Sequence, residues 1–140
     1  MSESLNRFLL AQSNFYETAI IELRRAKKIS HWMWFIFPQV QGLGKSALAN
    51  EFSLKSTQEA QDYLNHNILF PRLIKATNIL VYTENKTIND IFDFPDDLKL
   101  KSSMTLFSTL AKDNDSFHKV LIKYFDGITC EKTKLWLKYH

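Results

Sequence analysis

Ser30-His31-Trp32-Met33-Trp34-Phe35-Ile36-Phe37-Pro38-Gln39 is the stretch on which the fold turns. It holds two of the chain's 3 Trp and two of its 11 Phe, and His31 is its one side chain able to carry charge. Read as a strand, the continuous apolar run fits only a doubly buried position. Nothing elsewhere in the chain reads as a partner strand, so a short helix or a tightly packed turn is the better reading. Ser30 then offers a cap, and Pro38 stops the helix by disfavouring helical backbone in the residue before it.

Upstream, helical spacing dominates. Ser2 or Ser4 caps a first short helix with Leu5, Phe8 and Leu9 on one face. Asn14 followed by Glu17 has capping-box spacing and opens a second helix. Its apolar stripe is Tyr16, Ala19, Ile20 and Leu23; Glu17, Glu22, Arg24 and Arg25 form its polar side. Arg24, Arg25, Lys27 and Lys28 suit the negative end of the helix dipole.

Downstream, Gly42-Leu43-Gly44 marks a turn, and a short helix runs from Ser46 to Phe52. Ser56 and Glu59 form another capping box. Pro71 is tolerated in the first turn of a helix over Leu69–Tyr82. Thr87 and Asp90 cap a single turn, and Pro95-Asp96-Asp97 starts a long helix carrying Leu98, Met104, Leu106, Phe107 and Leu110. Asn114 or Asp115 opens a helix that Gly127 ends, and Thr129 opens the last one. The sum is an all-α single domain over residues 1–140, a compact bundle of about seven short-to-medium helices in orthogonal rather than up-down packing.

Composition agrees. A chain of 140 residues buries about two thirds of its unfolded surface without needing staples. Only 3 Gly and 3 Pro argue against a turn-rich sandwich or barrel. Net charge +3 permits an anionic partner and does not demand one. The lone Cys130 forms no intramolecular disulfide and no Cys-based zinc site, which points to a reduced, cytoplasmic setting. The N-terminus lacks the pattern of a signal peptide, and no apolar run approaches the ~18 residues of a membrane span. The 4 His have no spacing that builds a metal site, so neither metal nor cofactor is expected.

Gly44-Lys45-Ser46 falls short of a phosphate loop, because Gln39 stands where the first Gly is required. A different constellation carries more chemistry. Lys99, Ser102 and Ser103 share one helical face and present a cation and two hydroxyls together. Opposed to Trp32, Trp34 and Phe37, they would form the polar wall of a pocket whose other wall is aromatic. Such a pocket suits a nucleotide-like or other anionic heteroaromatic ligand. Gln12 and Gln39 add directional hydrogen bonds, and Lys28 adds a second cation. His31 at the rim is able to exchange protons near neutral pH. Whether a reaction follows binding stays open, with His31, Lys99, Ser102 and Ser103 as the catalytic candidates. The plainer reading makes the aromatic run core and the polar residues a solvated edge. The alternative function is a protein-interaction or nucleic-acid-binding module on the Arg24–Lys28 basic cluster. A bare charge run is more often a solvated face, so nucleic acid ranks second, and no particular protein partner is indicated.

The same residues resemble a known family. Ala11-Gln12, Glu22-Leu23 with Lys28, the Ser30–Gln39 string, Gly42-Leu43-Gly44 with Ser46, Tyr63-Leu64 with His66, Arg72-Leu73, Ile91-Phe92, and Lys99-Leu100 before Ser102-Ser103-Met104-Thr105-Leu106-Phe107 are similar to the family catalogued as domain of unknown function 1810. Some of its members carry the label calpastatin. The likeness spans nearly the whole chain. Asn67 stands where the family often has Pro, and Asp93 where it often has Gly; both are turn positions. The resemblance implies a small all-α protein of bacterial type and no established activity.

Overall fold

The first long helix, α1, runs over Asn6–Arg24 in a computed structural model that describes residues 3–140. Ser2, one of the two expected caps, lies outside those residues. A 3-10 turn over Glu3–Leu5 leads directly into α1. The two helices expected here are therefore one. Asn14 sits exposed in mid-helix, and its spacing to Glu17 caps nothing. The physical reason is the stripe of Leu5, Phe8, Gln12, Tyr16, Ala19, Ile20 and Leu23, buried without interruption. Packing along such a stripe outweighs a local capping option.

α1 ends in a Schellman motif. The Lys27 N–H donates to the Glu22 carbonyl at 3.1 Å and the Ala26 N–H to that of Leu23 at 3.0 Å. Ala26 takes the left-handed position, φ 56°, where Gly is usual.

The central stretch then forms only one helical turn, α2 (Met33–Ile36), started by Trp32 rather than Ser30. Next come α3 (Ala47–Glu51), α4 (Thr57–Leu64), α5 (Leu69–Tyr82), α6 (Ile88–Ile91), α7 (Asp96–Leu110), α8 (Ser116–Phe125) and α9 (Glu131–Tyr139). That makes nine α-helices among the described residues rather than about seven; short turns such as α2 and α6 raise the count. Several caps fall where the sequence puts them. Ser46 accepts from the Ala49 N–H at 3.1 Å and Ser56 from the Glu59 N–H at 3.0 Å. Thr87 and Asp90 form a full capping box. Asn114, not Asp115, receives the Ser116 N–H, at 2.9 Å. Cys130 rather than Thr129 stands at the start of α9.

No strand occurs among the described residues, though one backbone pairing does. Val40 and Leu54 form a parallel bridge. The Leu54 N–H donates to the Gln39 carbonyl at 2.8 Å and the Gln41 N–H to the Leu54 carbonyl at 2.9 Å. This ties the end of the central stretch to the segment after α3.

The core is aromatic. Phe8, Trp32, Phe37, Tyr63, Phe92, Phe107 and Phe117 are all fully buried. Trp32 meets Phe92 edge to face at 6.2 Å, and Phe8 meets Tyr63 the same way at 5.2 Å. α7 lies at the centre, against α8, α9 and α4. Its residues Ser102 to Phe107 are buried on every side, as expected of a helix enclosed by others.

Candidate functional site

Glu22 organises the central stretch. One of its carboxylate oxygens accepts the Ile29 N–H at 2.8 Å, the Ser30 N–H at 2.9 Å and the Trp32 indole N–H at 2.9 Å. The other accepts the Ser30 hydroxyl at 2.6 Å. Glu22 is only 6% exposed, so its assignment to the polar side of its helix is corrected. Burial opposes its ionisation, but the Ser30 hydroxyl, the two backbone N–H groups and the Trp32 indole outweigh that and hold its pKa down at about 2. The chain leaving α1 is thereby folded back over the helix, and Trp32 is seated in the core.

That seating decides where Lys28 goes. Its N–H donates to the Ile91 carbonyl at 2.8 Å. Its ammonium lies 5.3 Å from the Trp32 ring centre and 2.8 Å from Asp96 Oδ2. Asp96, at the start of α7, also pairs with Lys99 at 3.2 Å. The Lys99 ammonium stands 4.9 Å from the ring centre of Trp34, within cation–π range. Lys28, Trp32, Trp34 and Lys99 are thus brought together through Asp96, whose expected role ended at that of a first-turn acid. Two cations share one carboxylate, leaving a surplus of positive charge.

The members of this corner differ in access. Trp34 is partly exposed, yet its indole N–H is buried and meets no acceptor among the described residues. Trp32 is 0% exposed and belongs to the core. Elsewhere on the central stretch, His31 is exposed and Gln39 is half-buried.

The remaining candidates stand apart from these contacts. Gln12 is buried; its Nε2 donates to the Phe35 carbonyl at 2.7 Å and to the Tyr63 hydroxyl at 3.2 Å. Its Oε1 accepts from Arg72 at 3.2 Å. This network fixes α1 to α2, α4 and α5. Ser102 shares a 2.8 Å hydrogen bond with Thr133 of α9, so its hydroxyl is already engaged. Ser103 is fully buried, and its hydroxyl has no partner among the described residues. An unpaired buried hydroxyl carries a desolvation penalty of about 1–3 kcal/mol. Ser103→Ala is therefore expected to raise stability by roughly 1 kcal/mol, read as a higher urea midpoint at unchanged slope.

Reasoning from sequence also missed a second buried acid. Glu59 receives both terminal nitrogens of Arg7 at 3.1 Å, the Ser4 hydroxyl at 2.6 Å and the Lys55 N–H at 2.8 Å. Burial opposes its ionisation, but these donors win and lower its pKa. The capping-box spacing of Ser56 and Glu59 flagged the residue, although its carboxylate serves Lys55 and Arg7 instead.

No group of three or more His, Cys, Asp or Glu among the described residues is placed to hold a metal ion. No helix among them is long and apolar enough to cross a membrane.

The comparisons with known proteins bear on the whole chain. No curated protein matches it. Among solved structures, the conserved hypothetical protein Rv1873 from Mycobacterium tuberculosis is 43% identical, with a TM-score of 0.95 and 97% of each chain covered. The family model for a protein of unknown function, DUF1810, matches residues 2–137. With that span, the chain belongs to the DUF1810 family.

Proposed function

We propose that the protein binds a small anionic ligand carrying an aromatic or heteroaromatic group, at the corner formed by Trp34, Lys99 and Lys28. The observation that carries this reading is the state of Trp34. It is a partly exposed ring with the Lys99 ammonium over its face. An incoming anion gains the surplus charge of Lys28 and Lys99, and its aromatic group gains the open part of the Trp34 ring. His31 and Gln39 form the rim in this reading, with His31 the candidate for proton exchange if a reaction follows. Ser102 and Ser103 support α7 from behind. A bacterial, cytoplasmic setting accords with the lone thiol of Cys130 and with the source of the mycobacterial neighbour.

The test is a thermal-shift screen against mononucleotides, fragments of NAD and sugar phosphates, since a ligand bound only to the folded state raises the melting temperature by mass action. A hit should disappear in Lys99→Ala and weaken in Trp34→Ala, which removes the ring. A shift that survives both substitutions, or no shift with any of these compounds at millimolar concentration, overturns the reading.

A further inference from the structure

A groove of 440 Å³ opens where the C-terminal ends of α1 and α5 meet, lined by Arg24, Arg25, Ile79, Tyr82, Glu84 and Lys86 among others. Its volume falls within the range of about 300–1,000 Å³ typical of ligand sites. Three cations face one carboxylate there.

Cations at helix ends commonly serve to satisfy the last carbonyls, but here most of those carbonyls already have other partners. On α5, Ile79 O accepts the Thr83 hydroxyl at 2.7 Å, Leu80 O accepts the Tyr124 hydroxyl at 2.6 Å, and Val81 O accepts Lys123 at 2.7 Å. On α1, the Schellman motif takes the carbonyls of Glu22 and Leu23. Arg24, Arg25 and Lys86 also form no ion pair among the described residues. Tyr82 is 76% exposed, an aromatic face with nothing packed over it.

We propose that this groove binds single-stranded nucleic acid, with phosphates on Arg24, Arg25 and Lys86 and a base stacked on Tyr82. Free cations beside an exposed ring are what tracking of a single strand requires, and stacking on an open ring selects an unpaired base over a duplex.

The experiment is fluorescence anisotropy of a fluorescein-labelled uridine oligonucleotide across a series of KCl concentrations. Three phosphate contacts predict a slope of log K against log[salt] of about −2, from roughly −0.7 per contact on a single strand. The double substitution Arg24→Ala with Arg25→Ala should weaken binding at least tenfold and flatten the slope to about −0.7. Tyr82→Ala should weaken binding at least fivefold and leave the slope unchanged. All three side chains are exposed, and an unaltered melting temperature verifies the fold of each variant. The proposal is overturned by no binding at about 20 mM KCl, by equal binding to a duplex of the same length, by variants that bind like the parent, or by uridine monophosphate competing as well as the oligonucleotide. Neither readout involves Trp34 or Lys99, so this proposal and the preceding one stand or fall separately.

Discussion

Glu22→Ala is expected to destabilise the protein by about 3–5 kcal/mol, the range for deleting one side of a buried, charge-assisted hydrogen-bond set. The carboxylate receives four donors. Without it, two backbone N–H groups and the Trp32 indole N–H lose their acceptor in a site that water reaches poorly. Glu22→Gln keeps one carbonyl oxygen for the three N–H donors and loses the charge. Its cost should therefore be smaller, about 1–3 kcal/mol. Urea unfolding at neutral pH measures both, and the order Ala worse than Gln separates loss of the acceptor from loss of the charge.

The second large effect is expected at Trp32. Trp32→Ala removes one of the largest fully buried side chains, at a cost of about 3–5 kcal/mol. It also takes one donor from Glu22. Trp32→Phe keeps an aromatic ring in the site but loses the indole N–H and part of the ring volume, so it should cost less, about 1–3 kcal/mol. A double-mutant cycle between Trp32→Phe and Glu22→Ala then isolates the pair. A coupling energy of about 0.5–3 kcal/mol is expected for side chains in direct hydrogen-bond contact. Strict additivity would mean that the indole and the carboxylate do not support one another.

What was legible in the sequence was mostly local. Ser46, Ser56 and the Thr87–Asp90 pair cap helices because the acceptor and its N–H lie three residues apart, and nothing distant competes. Pro95-Asp96-Asp97 starts α7 without a side-chain cap, the two acids standing in the first turn where the helix dipole favours them. Asn14 had equally good local spacing, yet the apolar stripe of α1 runs straight past it and tertiary burial prevails.

Glu22 was misassigned because its partners come from a loop seven to ten residues later that returns over the helix. Its own position, three residues after buried Ala19 and next to buried Leu23, was the available signal. The meeting of the aromatic stretch with the start of α7 was anticipated, and Lys99 does lie over Trp34. The bridge through Asp96 to Lys28 was not, because it depends on where the chain leaving α1 is pinned. Ser102 and Ser103 were expected at an open wall. They are buried instead, with Thr133 of α9 engaging Ser102, a docking that no spacing within α7 reveals.

The aromatic stretch is thus two things at once. Trp32, Phe35, Ile36 and Phe37 are core, and Trp34 beside exposed His31 is the part left at the surface. Ionised Glu22 holds the two in register. Its pKa, held at about 2 in the fold, lies below that of the unfolded chain, near 4.3. Its stabilisation is therefore fully present above the unfolded value and is lost as pH falls through the folded one. The deciding measurement is the difference in unfolding free energy between the parent protein and Glu22→Gln, taken from pH 7 down to pH 2. The difference is expected to stay constant above about pH 5 and to fall to near zero by pH 2, with the substituted side chain silent throughout. Parallel curves for the two proteins across that window would contradict that role of Glu22.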